Sequence, residues 1–303
     1  MSVKEGLQFL KETYEDFTAD DCTTQAAALS YYTVFSLPPL LLLLLMILGA
    51  VLDPQDVRGQ LQQQISGLMG PSAAEQIRTI LQQAQRPGSG GLLPTLLSVG
   101  ALLLGATGAF GQLQAALDRA WGVKPDPRQG GIKAFLLKRV FSFGMILVMA
   151  FLLLVSLVVS AGLTAFGDAL NAWLPSGISV TLLQVVNQVI SLVVVALVFA
   201  VIFKVLPDAR VAWRDVWVGA GFTAVLFVVG KFLIGLYLGR INPGEAFGAA
   251  GSLAVLFVWI YYSSLILLFG AEFTQAWAER RGSGIAPERG AVRVKGTQRT
   301  VPV

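Results

Sequence analysis

The sequence predicts an all-α, polytopic membrane protein: a bundle of six transmembrane helices, both termini cytoplasmic, with a helical hairpin on the outer side. Three observations predict it. Of 303 residues, 55% are hydrophobic and 13% charged, a charged fraction about half that of a soluble domain. The charges also leave long gaps, since residues 22–52, 87–117, 140–167, 169–203 and 246–271 carry none. Sustained apolar–polar alternation is missing, which argues against a membrane β-barrel.

The elements follow in order. The first 28 residues are polar and acidic, with Lys4, Glu5, Lys11, Glu12, Glu15, Asp16, Asp20 and Asp21; a secretory signal would begin basic and turn apolar at once. A helix needs about 20 apolar residues to cross the hydrocarbon. Spans are placed on that basis at 29–52, 92–113, 141–166, 182–206, 215–238 and 250–276. Pro38 and Pro39 fall inside the first span, where two prolines are expected to leave carbonyls unpaired and kink the helix. The stretch 169–203 contains the loop Asn171–Gly177 and is counted as one span. The fifth span is interrupted only by Lys231. Of the 22 Lys and Arg, 17 lie in segments assigned to the cytoplasm and 4 in segments assigned outside, with Lys231 in a span, a distribution that sets the orientation.

Residues 53–91 form the one long connection. Val57, Leu61, Ile65 and Leu68 make one helical stripe, Ile77, Ile80, Leu81 and Ala84 a second, and Gly70-Pro71 divides them, so a helical hairpin on the outer membrane surface is expected. The organisation is therefore a single transmembrane domain, 1–280, followed by a basic cytoplasmic tail, 281–303. The tail is rich in Gly, Arg and Pro and reads as disordered.

Composition also excludes chemistry. No histidine is present and Cys22 stands alone, which removes the usual general base, Ser-His and Cys-His nucleophile pairs, and a metal cluster. No Walker motif occurs, and no cofactor or metal is expected. The net charge of +4 follows membrane topology: the basic loop around Lys124, Arg128, Lys133, Lys138 and Arg139 has no aromatic platform, so nucleic acid is not an expected partner. Membrane lipids are, and an envelope protein partner is the other candidate. An enzyme is not expected, because no second carboxylate is seen at the depth of the first.

Ionisable and polar residues inside spans are the candidates for function, since hydrocarbon makes them costly. Lys231 lies about 24 Å along the fifth span from its inner end, in the outer third; Glu272 lies about 33 Å along the sixth, at the cytoplasmic edge. The two cannot pair directly. Glu272 is expected to form an inner-end ion pair with Lys204, Arg139 or Arg214; Lys231 has Asp168 and Glu245 in reach. Lys231 reads either as snorkelling to the outer headgroups or as contacting an anionic headgroup in a lateral opening. Gln184, Asn187, Gln188 and Ser191 share one face of the fourth span and read either as interhelical hydrogen bonding or as the wall of an outward cavity with Lys231. Tyr237 and Tyr262 complete the set of pathway candidates.

Four separated motifs resemble a known family. They are Ala27-Ala28-Leu29-Ser30-Tyr31-Tyr32-Thr33-Val34-Phe35-Ser36-Leu37-Pro38-Pro39; Ala116-Leu117-Asp118-Arg119-Ala120-Trp121-Gly122-Val123; Gly230-Lys231-Phe232 with Tyr237; and Phe247-Gly248-Ala249-Ala250-Gly251-Ser252-Leu253, followed by Trp259-Ile260-Tyr261-Tyr262-Ser263 and Gly270-Ala271-Glu272-Phe273-Thr274. In this order, over about residues 5–280, the chain resembles the YihY/virulence factor BrkB family of bacterial inner-membrane proteins. The resemblance implies six transmembrane helices, a link to serum resistance and proposals of transport, including of lipids. It also brings an old ribonuclease BN label, generally regarded as mistaken, and no agreed catalytic residue. The function expected is thus an inner-membrane transporter or translocase of a lipid or other amphiphile in envelope maintenance. The alternative is a non-transporting scaffold or partner subunit of an envelope complex, with the outer hairpin and the basic tail as docking surfaces.

Overall fold

A computed structural model describes residues 3–49, 59, 78–79, 108–126, 144, 178–241, 251–288 and 290–294, with backbone alone at 38–49, 178–187, 238–241 and 252. These residues are mostly helical. Among the described residues, three helices are long and apolar enough to cross a membrane, over Gln188–Val205, Trp213–Tyr237 and Leu253–Arg281. They coincide with the fourth, fifth and sixth spans expected from hydropathy. The hairpin 53–91 and the second and third spans lie largely outside the described residues; 59, 78 and 79 are helical.

The chain opens with a helix the hydropathy reading leaves unassigned. Helix α1 (Val3–Ala19) is amphipathic: Phe9, Thr13 and Phe17, four residues apart, are buried, while Lys4, Glu5, Lys11 and Glu15 are exposed. The spacing of four lays the buried three on one stripe. Thr13 spends its hydroxyl on the Phe9 carbonyl, 2.9 Å away. Asp21 then turns the chain in the left-handed region, φ 54°, which Asp tolerates better than most non-glycine residues. Its carboxylate accepts from the Thr24 hydroxyl at 2.9 Å, tying the turn to the start of α2 (Cys22–Gly49). Helix α2 runs through Pro38 and Pro39 without ending, so the prolines do not terminate it as they do in most soluble helices.

Helix α3 covers residues 108–120 and ends at Gly122, φ 61°, the left-handed stop that glycine accepts without a Cβ penalty. Helices α4 (Ile178–Val205), α5 (Trp213–Ile241) and α6 (Gly251–Arg281) follow. Helix α6 packs on α1, α2 and α5, and α4 on α5. The core runs between them, with Leu117, Trp121, Phe203, Val216, Leu256 and Leu268 fully buried.

The contact between α5 and α6 is close. Gly219 lies under Thr274 and Gly270 under Thr223, so that a Cβ on either glycine would overlap the facing threonine. Each threonine returns its hydroxyl to the carbonyl four residues back on its own helix: Thr223 to Gly219 at 2.7 Å, Thr274 to Gly270 at 2.6 Å. The motif Gly270-Ala271-Glu272-Phe273-Thr274 therefore has a mechanical meaning. Glycine admits the neighbouring helix, and threonine fills the neighbour's gap with its polar atom already satisfied.

The segment after α6 corrects the expectation of a disordered tail from 282 onward. Strand β1 (Val123–Pro125) pairs antiparallel with β4 (Ala291–Arg293), and β2 (Ala209–Arg210) with β3 (Ala286–Pro287). Two short ladders thus clasp the last segment onto the loops after α3 and α4. Side chains reinforce the clasp: Asp118 accepts the Asp208 amide at 2.7 Å, and buried Asp215 accepts that of Ser283 at 3.2 Å. Residues 295–303 lie outside the described residues.

Candidate functional site

Two groups of polar side chains interrupt the apolar bundle. The first surrounds Glu272. Its helix, α6, carries it into the junction of α2 and α1, where it is 1% exposed. Cys22, at the start of α2, donates its thiol to Glu272 Oε1 at 3.5 Å. The other oxygen, Oε2, has no hydrogen-bond partner. Asp20, in the turn between α1 and α2, brings a second carboxyl against Glu272, and Arg119 of α3 faces Asp20. Burial pushes Asp20 above the ordinary carboxylate range, opposed by the Arg119 guanidinium and by hydrogen bonding to Glu272. Burial, together with the neighbouring Glu272 carboxyl, pushes the Cys22 thiol well up, so Cys22 stays protonated and acts as a donor, not as a nucleophile.

Two of the three partners expected for Glu272 in an inner-end ion pair, Lys204 and Arg214, are corrected. Among the described residues Glu272 makes no ion pair with Lys204 or Arg214. Lys204 instead donates to the Val211 carbonyl at 2.5 Å and lies 5.7 Å from the centre of the Trp213 ring. These contacts hold it at the turn between α4 and α5. Arg214 is exposed. Arg139 lies outside the described residues. Sequence reasoning missed Asp20 as the second carboxylate because it looked for a second acid only within the spans. The signal was available: Asp20 precedes the first span, and the depth reckoning puts Glu272 at the same membrane edge.

The second group lies farther along α5, at the level of Tyr262 on α6. Lys231 is half-buried on α5, and its neighbour Gly230 is buried against α6: a Cβ on Gly230 would sit 2.7 Å from the Tyr262 hydroxyl and 2.7 Å from Ile266 Cδ1. Tyr262 is half-buried; Tyr237 is exposed, as are Phe232, Leu233 and Leu236. The structure thus brings Tyr262 beside the Lys231 backbone and leaves Tyr237 on the outer surface of the bundle. Gln188 and Ser191 are exposed on α4. The side chains of Gln184 and Asn187, and the expected Lys231 partners Asp168 and Glu245, lie outside the described residues. No cluster of metal-ligating side chains occurs among the described residues.

Comparison with known proteins decides the family. The family model described as virulence factor BrkB matches residues 13–294. The chain belongs to the virulence factor BrkB family. Its BrkB-family relatives include a UPF0761 membrane protein of Pseudomonas paraeruginosa, 29% identical over 282 residues, which cover 88% of this chain and 62% of that one. A UPF0761 membrane protein of Psychromonas ingrahamii is 26% identical, covering 91% of this chain and 90% of the relative. The ribonuclease-like protein YfkH of Bacillus subtilis is 23% identical, covering 91% and 97%. The chain spans about three-fifths of the length of the Pseudomonas relatives. No solved structure matches. The match of the BrkB model reaches 294, so it takes in the clasping strands as well as the helices.

Proposed function

We propose that this BrkB-family membrane protein is a bacterial inner-membrane translocase of a lipid or other amphiphile, with six spans, both termini cytoplasmic and residues 53–91 as a hairpin on the outer side. The observation that carries the reading is Lys231: a cation half-buried in the outer half of an apolar helix. Ionisable groups at such depths are costly and are retained at substrate pathways. Beside it, Gly230 admits the Tyr262 hydroxyl to the helix surface. Phe232, Leu233, Leu236 and Tyr237 present an apolar, aromatic outer surface. A cation bordered by apolar surface suits an anionic headgroup with acyl chains attached, and no enzymatic step is part of the reading.

The scaffold alternative is weakened by the clasp. It treats the basic tail as a docking surface, yet residues 286–287 and 291–293 pair with the chain's own strands.

Reconstitution tests the proposal. Purified protein is placed in liposomes containing headgroup-labelled anionic lipid, and loss of label accessibility is followed in time beside Lys231→Ala. Flipping well above empty liposomes and lost in the variant supports translocation through the Lys231 region. Equal rates with and without protein sink it.

A further inference from the structure

We propose that Asp20 and Glu272 form a proton-binding site at the inner end of the bundle, one proton being shared between two carboxyl groups that face each other across the α1–α2 turn and α6. The site's existence does not depend on the translocation reading; its use, linking proton uptake to movement of the bundle, rests on that reading.

The geometry carries the argument. Glu272 is nine-tenths buried or more, and its Oε2 has no partner. Its Oε1 takes the thiol of Cys22, a weak donor. Two carboxylates side by side, one of them fully buried, strongly disfavour double ionisation, and a shared proton removes the conflict, as in carboxylate dyads. The proton belongs to the pair and to neither residue alone.

The surroundings set the proton's affinity from every side. Helix α1 contributes Asp16, the turn Asp20, α2 the Cys22 thiol, and α3 the Arg119 guanidinium facing Asp20. From helix α5, Gly219 faces Thr274 and Thr223 faces Gly270, on either side of Glu272 along α6. Arg119 and Asp21 are exposed, and Asp16 and Asp20 half-buried, so carboxyl groups lead from the surface to the buried one. Proton exchange with the cytoplasm then needs no channel through the bundle. Loss of the proton would set two negative charges against each other at the joint where α1, α2 and α6 meet, and the α1–α2 turn is the part with room to give.

Infrared titration of the full chain in detergent tests the site. The carbonyl band of a protonated carboxyl, identified by its shift in heavy water, is followed against pH in wild type, Glu272→Gln and Asp20→Asn, each checked for native helicity. The expected result is a band persisting at neutral pH in wild type and missing from Glu272→Gln. In Asp20→Asn its midpoint falls by about one pH unit or more, because the like-charged neighbour is gone. A wild type without the band at neutral pH, a band unchanged in Glu272→Gln, or an unmoved midpoint in Asp20→Asn each overturns the proposal. Lipid flipping in the same preparations is read separately. Its absence with the carboxyl band intact sinks translocation and leaves the proton site standing.

Discussion

The surroundings of Glu272 and of Lys231 handle polar groups in opposite ways. Toward the Glu272 end several buried polar groups have named partners: Asp118 holds the Asp208 amide, Asp215 the Ser283 amide, Cys22 the Glu272 carboxyl, and two strand pairs tie residues 286–293 down. Farther along α5, Lys231 is half-buried amid exposed Phe232, Leu233 and Leu236. Among the described residues it makes no ion pair. The difference teaches that polarity inside an apolar bundle has two meanings. Where partners converge it builds architecture; Glu272 Oε2, Gln275 Oε1 and Trp121 Nε1 are left without one there, and of these Glu272 Oε2 is the carboxylate oxygen, the atom that can take up a proton. Where partners are few it marks a surface that meets something else.

The comparison can be broken or sharpened by substitution. The largest stability effect is expected at the α5–α6 contact. Gly219→Ala forces a Cβ into Thr274, and overpacking of this kind costs about 1–3 kcal/mol or more. Thermal unfolding in detergent should show a clear drop, partly restored by Thr274→Ala in the same chain, since the two side chains compete for one space. A fully additive double variant would break the account of the contact. Next comes Glu272. Glu272→Ala leaves a cavity and is expected to cost about 2 kcal/mol or more. Glu272→Gln keeps the shape and a neutral group and is expected to stay within about 1 kcal/mol of wild type. A large loss in Glu272→Gln would reinstate an ion pair at the inner end.

Asp20 sharpens the contrast through pH. Its folded-state affinity for a proton exceeds that of the free carboxyl, so the folded state binds more protons and its stability falls as pH rises. That contribution is fully present below the ordinary value of 3.8 and is lost as pH climbs through the raised one. Asp20→Asn should flatten the decline of melting temperature between about pH 4 and neutrality; identical slopes in wild type and variant would remove Asp20 from the cluster. The smallest stability effect is expected in the outer half, where Lys231→Ala should change stability by no more than about 0.5 kcal/mol while abolishing lipid flipping. A loss of folded protein would instead assign Lys231 to the architecture.

Much of this was legible in the residues. Apolar runs locate the α4, α5 and α6 spans, because transfer of side chains to hydrocarbon is a property of each segment by itself. Family membership was legible in the spacing of four motifs. The clasping strands were not: two or three residues are too few for an alternation to register, and a tail rich in Gly, Arg and Pro has a disordered composition. Helix α1 escaped notice because its buried stripe, Phe9, Thr13 and Phe17, is narrow and interrupted by a polar residue.

What the sequence by itself determined is therefore the class: an apolar, helical membrane protein of the BrkB family, with Lys231 and Glu272 marked as costly residues. Only the tertiary structure decided their company. Cys22 meets Glu272 across 250 positions, Asp20 arrives with it, and Lys204 turns away to the Val211 carbonyl. The physical reason is that hydropathy and periodicity are local sums, whereas partnership between helices depends on where small residues let backbones approach. Here Gly219 and Gly270 set that approach for α5 and α6, and the turn at Asp21 sets it for the acidic first helix.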